Sequence, residues 1–105
     1  MEYPLVIGGS GFLGDALVSQ LVKDKASKKI TVFDINIKDQ RFKSVVYARG
    51  DIADVSRLRD VIRQSHTDVI FHMASPIHGL GKKVYHKVNI EGTKNVIRAA
   101  LAENI

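Results

Sequence analysis

Tyr3-Pro4-Leu5-Val6-Ile7-Gly8-Gly9-Ser10-Gly11-Phe12-Leu13-Gly14 is a short apolar run that ends on a cluster of glycines and passes at once into a helical pattern. Leu13, Leu17 and Leu21 recur at i+4 with Ala16 beside them, which predicts a helix over 12–23. The stretch therefore reads as strand, tight turn and helix.

The same alternation continues outward from that turn. Ile30-Thr31-Val32-Phe33 and Ser44-Val45-Val46-Tyr47-Ala48 are β-branched and aromatic runs, the second and third strands. Asp54 is placed to cap a helix whose apolar face is Leu58, Val61 and Ile62. Asp68-Val69-Ile70-Phe71-His72-Met73 reads as a fourth strand buried on both faces, and a loop over 75–81 leads into a long helix. That helix sets Val84, Val88, Gly92, Val96 and Ala100 on one row. A glycine inside a helix costs about 1 kcal/mol relative to alanine, so Gly92 predicts the close approach of another backbone.

Strands alternating with helices predict an α/β chain, a Rossmann-type doubly wound parallel sheet of strand order 3-2-1-4. The sheet is expected to be incomplete, because the pattern stops at Ile105 where a further strand would begin. Residues 1–105 are thus expected to form the N-terminal segment of a longer protein. A fourth strand without its next neighbour offers an open edge, which predicts dimerisation or poor solubility of the segment alone.

The turn itself carries chemistry. Two registers fit a dinucleotide fingerprint, Gly9-x-Gly11-x-x-Gly14 and Gly8-x-x-Gly11-x-x-Gly14, and Gly8 favours the second because it directly ends the strand. Gly8 permits the sharp exit, Gly11 lets the backbone touch a pyrophosphate, and Gly14 lets helix and strand pack closely. The N–H groups of the helix start then point at the phosphates. No Lys-Ser/Thr pair follows the glycines, which excludes a phosphate loop of the ATPase type.

Asp34 stands twenty residues after Gly14, at the end of the second strand, where a carboxylate accepts both ribose hydroxyls of adenosine and repels a 2′-phosphate. This points to NAD over NADP, with Lys38 and Arg41 nearby as the counter-argument. Asp51 is read as an acceptor for the adenine amino group, and Ile52 as a cover for the ring. His72-Met73-Ala74-Ser75, at the carboxyl end of the fourth strand, is expected under the cofactor.

Composition removes other classes. The 105 residues contain no cysteine, so there is neither a disulfide framework nor a thiolate nucleophile. His66, His72, His78 and His86 are spaced six, six and eight apart, which suits no metal site. A net charge of +5 raises nucleic acid as a partner, but no aromatic residues alternate with the lysines as stacking platforms would require. No apolar run approaches the roughly 20 residues of a membrane span, and the segment is expected to be soluble.

Ile7-Gly8-Gly9-Ser10-Gly11-Phe12-Leu13-Gly14, Phe33-Asp34, Gly50-Asp51-Ile52, His72-Met73-Ala74-Ser75-Pro76 and Val88-Asn89-Ile90-Glu91-Gly92-Thr93-Lys94-Asn95-Val96 resemble, in order and spacing, the extended short-chain dehydrogenases. The last two stretches resemble the 3β-hydroxysteroid dehydrogenase/isomerase branch in particular. The resemblance implies NAD contacts from Gly8, Ser10, Gly11, Phe12, Leu13, Asp34, Asp51, Ile52, Ala74 and Ser75, beside Gly14 of the turn. It also implies that Asn89 supports the active-site proton network, the alternative being a buried amide bonded to helix backbone.

By the same resemblance the full enzyme would oxidise the 3β-hydroxyl of a sterol or steroid at the cytosolic face of the endoplasmic reticulum, with homodimerisation and membrane association open. The family's Tyr-x-x-x-Lys is not here, since Tyr3, Tyr47 and Tyr85 are followed four residues later by Ile7, Asp51 and Asn89. The chain alone is expected to bind adenosine diphosphate weakly and to catalyse nothing. The cofactor half of a nucleotide-sugar epimerase or related reductase, and a non-catalytic dinucleotide-binding module, are the alternatives.

Overall fold

The computed structural model describes residues 2–37, 39–73 and 82–105, with 82–88 described as backbone alone. The elements run β1 (Pro4–Ile7), α1 (Phe12–Asp24), β2 (Ile30–Asp34), β3 (Val45–Arg49), α2 (Val55–Gln64), β4 (Val69–His72) and α3 (Lys82–Ala102). All four strands are parallel and lie in the order β3-β2-β1-β4, the Rossmann-type order expected from the sequence.

Alternation along β1 separates two cores. Leu5 and Ile7 join Phe33, Leu58, Val61, Ile62, Val96 and Ala99 on the face covered by α2 and α3. Val6 joins Val18, Leu21, Ile30, Val32 and Val45 on the face covered by α1. Because β1 is covered on both faces it is apolar throughout, and each such side chain contributes about 1.5–3 kcal/mol by leaving water. On the α2–α3 face a polar clasp adds to the packing. The Glu103 carboxylate, just past α3, accepts from Arg59 Nε at 3.1 Å and Arg63 Nε at 3.0 Å, and the Arg63 bond holds it below the ordinary carboxylate range.

Three sequence expectations change here. The buried row of α1 is Gly14, Val18 and Leu21, whereas Leu13 is 66% exposed, because Gly14 must face the strand exit to close the turn and this fixes the helix's rotation. β4 is half-buried along its length, since it pairs with β1 and no further strand flanks it among the described residues. Gly92 is buried, but what fills its notch is the side chain of Ile52, whose Cγ1 lies 3.2 Å from where a Cβ would stand. Asp54 behaves as expected and caps α2 by accepting from Arg57 N–H at 3.1 Å.

Candidate functional site

The carboxyl ends of β1, β2 and β4 meet at the glycine turn. Gly8 takes φ 82°, the left-handed region that favours glycine, and its N–H donates to the Phe33 carbonyl at 2.8 Å. Its carbonyl accepts Gly11 N–H at 3.2 Å, and Gly11 in turn accepts the first helical bond from Asp15 N–H at 2.8 Å. A Cβ on Gly14 would overlap the Gly8 carbonyl oxygen and lie 2.7 Å from Gly9 Cα. Space is also short at Gly9, where a Cβ would lie 2.8 Å from Val32 Cγ1.

Gly11 behaves differently. Its φ of −75° suits any residue, and an added Cβ would meet only the Gly8 oxygen at 3.5 Å, an ordinary contact. Neither the backbone nor the core requires glycine there. A pyrophosphate resting on the start of α1 would, because its oxygens would have to reach the amide N–H groups of the first turn. Phe12, 91% exposed, and Leu13 stand in solvent beside that space and so belong to no core. The residues present thus fit a dinucleotide.

Asp34, the last residue of β2, points its carboxylate back at the turn. Oδ2 accepts Ser10 N–H at 3.0 Å and Oδ1 accepts Asn36 N–H at 3.3 Å. A carboxylate offers about four acceptor positions, so two remain for the vicinal hydroxyls of a ribose. Ser10 Oγ is buried beside the turn and has no hydrogen-bond partner among the described residues.

Asp51 is exposed and accepts Ala53 N–H through Oδ1 at 2.9 Å, which shapes the corner before α2. Ile52 packs against the core on the α2–α3 side. Ala74 and Ser75 lie outside the described residues. Asn89 is half-buried on α3.

A set of clamps carries no mark in the sequence. Asn95 Nδ2 donates to the Ile52 carbonyl at 3.0 Å, and Arg98 Nη1 donates to Asn95 Oδ1 at 3.3 Å, which fixes the amide's orientation. Thr93 Oγ1 meets His72 Nε2 at 3.2 Å. Gly92, Thr93 and Asn95 thus tie both the 50–53 corner and the end of β4 to α3. The stretch that marks the family resemblance is, in this chain, a brace between α3 and the carboxyl edge of the sheet.

His72 is half-buried, and its Nδ1 has no partner among the described residues. Burial therefore pushes the imidazole below its ordinary value of 6.5, since the charged form loses hydration. With the folded-state pKa below the unfolded one, the unfolded chain takes up the proton first as pH falls. Stability is expected to be level above about pH 6.5 and to decline as pH falls below it. Urea midpoints across that window should fall less steeply for His72→Gln; an unchanged slope would show that His72 carries none of the effect.

A parallel 3-2-1-4 sheet with this turn and this carboxylate defines a Rossmann-type dinucleotide-binding unit. The model of the 3-beta hydroxysteroid dehydrogenase/isomerase family matches residues 5–105, and the chain belongs to that family. It is 39% identical, over 95% of its own length and 31% of the relative's, to the decarboxylating sterol-4-alpha-carboxylate 3-dehydrogenase of Candida albicans. Among solved structures, a monomeric L-threonine 3-dehydrogenase from a metagenome superposes with a TM-score of 0.81 at 25% identity, over 96% of this chain and 33% of that one. A Thermus thermophilus UDP-glucose 4-epimerase in complex with NAD does so with a TM-score of 0.79 at 25% identity, over 92% and 33%. The chain spans about a third of the length of the curated relatives it matches.

Proposed function

We propose that the chain is the NAD-binding part of an oxidoreductase acting on the 3β-hydroxyl of a 4-carboxysterol. The observation that carries the cofactor reading is Gly11, a glycine that neither its backbone angles nor its neighbours call for, at the start of a helix whose turn is held by Asp34. Gly8, Ser10, Gly11, Phe12, Leu13 and Gly14 would hold the pyrophosphate side, Asp34 the ribose, and Asp51 and Ile52 the adenine; Ala74, Ser75 and Asn89 would follow toward the reacting ring. NAD, when bound, supplies the acceptor for the hydride leaving C3. The 3-keto-4-carboxylate so formed is a β-keto acid, which loses carbon dioxide without further help.

Within this reading the chain's own task is to bind and orient. No tyrosine of these residues has a lysine four positions later, so the group that takes the hydroxyl proton would come from a longer protein, attached on this view to the endoplasmic reticulum. No helix among the described residues is long and apolar enough to cross a membrane. The sterol is preferred to a nucleotide sugar because the curated relative at 39% identity supports it, while the epimerase likeness stands at 25%.

Isothermal titration tests the cofactor claim. NAD is expected to bind, and NADP to bind at least about tenfold more weakly, because its 2′-phosphate would meet the Asp34 carboxylate. No heat from either nucleotide would overturn the reading. For the substrate, a protein that carries this chain at the length of its relatives should release carbon dioxide and NADH in equal amounts from a 4α-carboxy-3β-hydroxysterol.

A further inference from the structure

Arg41 shares a groove of about 560 Å3 with Gly9, Ser10 and Gly11 of the turn, and the groove is walled on one side by α1. Its side chain, 49% exposed, is not loose in that space. Nη2 pairs with Asp15 Oδ2 of α1 at 3.0 Å, and the charged plane lies over the Phe42 ring at 4.5 Å from its centroid. Phe42 is itself anchored, packed against the core beneath α1 while its N–H donates to Tyr47 Oη at 3.3 Å. Two attractions thus pull the cation toward α1, on the same side of the sheet as the turn. Ser10, another wall of the groove, carries the N–H that holds Asp34.

We infer that Asp15 is a specificity-determining residue, which sequesters Arg41 so that its guanidinium is not available to a phosphate on the adenosine 2′-oxygen. The inference rests on the NAD reading proposed above and goes beyond it. Discrimination against a 2′-phosphate then has two parts, repulsion by Asp34 and withdrawal of a guanidinium that would offset it. Asp15 does not face the ribose in this account and acts through Arg41 alone. Removing its charge releases a guanidinium whose planar donor fork suits a phosphate well.

The test measures affinities of ADP-ribose and of its 2′-phosphorylated form for the chain, and takes their ratio. The 2′-phosphate adds negative charge, so a general change of field would enter the ratio. Arg41→Gln alone excludes that, leaving the ratio unmoved because the cation is already sequestered, where net charge alone would shift it away from the phosphorylated ligand. Asp15→Asn is expected to shift the ratio about fivefold toward the phosphorylated ligand, the worth of one half-exposed ion pair. Adding Arg41→Gln to that variant should return the ratio to the starting value, and this separates Arg41 from Lys23, which lines the same groove. An unchanged ratio in Asp15→Asn overturns the inference, as does a shift that persists without Arg41, and either leaves the NAD reading intact. If the unsubstituted chain binds neither ligand, the NAD reading fails and this inference fails with it.

Discussion

Gly14→Ala is expected to lower the thermal midpoint by roughly 10 °C or more and to abolish NAD binding, whereas Gly11→Ala should abolish binding and leave the midpoint almost unmoved. The two glycines lie three residues apart in one turn, yet their surroundings differ. At position 14 the added carbon runs into backbone, the Gly8 carbonyl together with Gly9 Cα at 2.7 Å, and backbone cannot rotate aside as a side chain could. The helix must lift. Val18 and Leu21, buried on the same face, then lose contact with Val6 and Val32, so overpacking turns into lost burial. A cost of about 2 kcal/mol is at the middle of what such insertions bring.

At position 11 the methyl has room and an allowed φ. Alanine caps a helix less well than glycine, but it also restricts the unfolded chain, and the two effects offset to within about 1 kcal/mol. Binding should nevertheless fail, because the methyl would occupy the place proposed for the pyrophosphate. Thermal melts paired with NAD titrations separate the cases. Full affinity in Gly11→Ala would remove the pyrophosphate from this turn.

The contrast explains which features of the chain were legible in its sequence. Strand and helix order, the parallel 3-2-1-4 sheet and the Asp54 cap all follow from local signals, apolar runs of the right length and residues that stop them. The rotation of α1 does not. Leu13-Leu17-Leu21 is as good an apolar row as Gly14-Val18-Leu21, and a hydrophobicity pattern gives glycine no credit for facing the core; only the closure of the turn decides between them. Gly92 was legible as a close approach but not as an approach by Ile52, forty residues earlier in the chain.

Polar clamps are the least legible part of the site. Asn95 reaches Ile52 and Arg41 reaches Asp15 across gaps in sequence that carry no periodicity, so neither pairing leaves a trace in the chain. What the sequence offered for Asn95 was membership of a stretch with a family likeness, and its physical task emerges only when α3 is laid beside the 50–53 corner. Asp51 shows the converse. Its position suggested a ligand, and the fold gives one of its oxygens a structural duty at Ala53 N–H that is compatible with a ligand on the other.

Asp34→Asn is expected to weaken NAD binding by roughly 10- to 100-fold while bringing NADP close to parity with NAD. Both effects have one origin. On the proposed reading the carboxylate's two remaining acceptor positions would make charge-assisted bonds to ribose hydroxyls, worth about 1.5–3 kcal/mol each. Asparagine keeps the shape and one carbonyl oxygen for Ser10 N–H, but its amide nitrogen donates and so cannot accept from a second hydroxyl. The loss for NAD therefore comes from one or both ribose bonds, with the turn still held. NADP loses a repulsion instead, and the ratio collapses from both directions. Asp34→Ala should go further, because Ser10 N–H and Asn36 N–H lose their acceptor and the turn itself loosens, so its thermal midpoint should drop where that of the asparagine variant holds. Titrations of both nucleotides into both variants, with melts alongside, check each step. If Asp34→Asn binds NAD undiminished, the ribose does not sit at the end of β2.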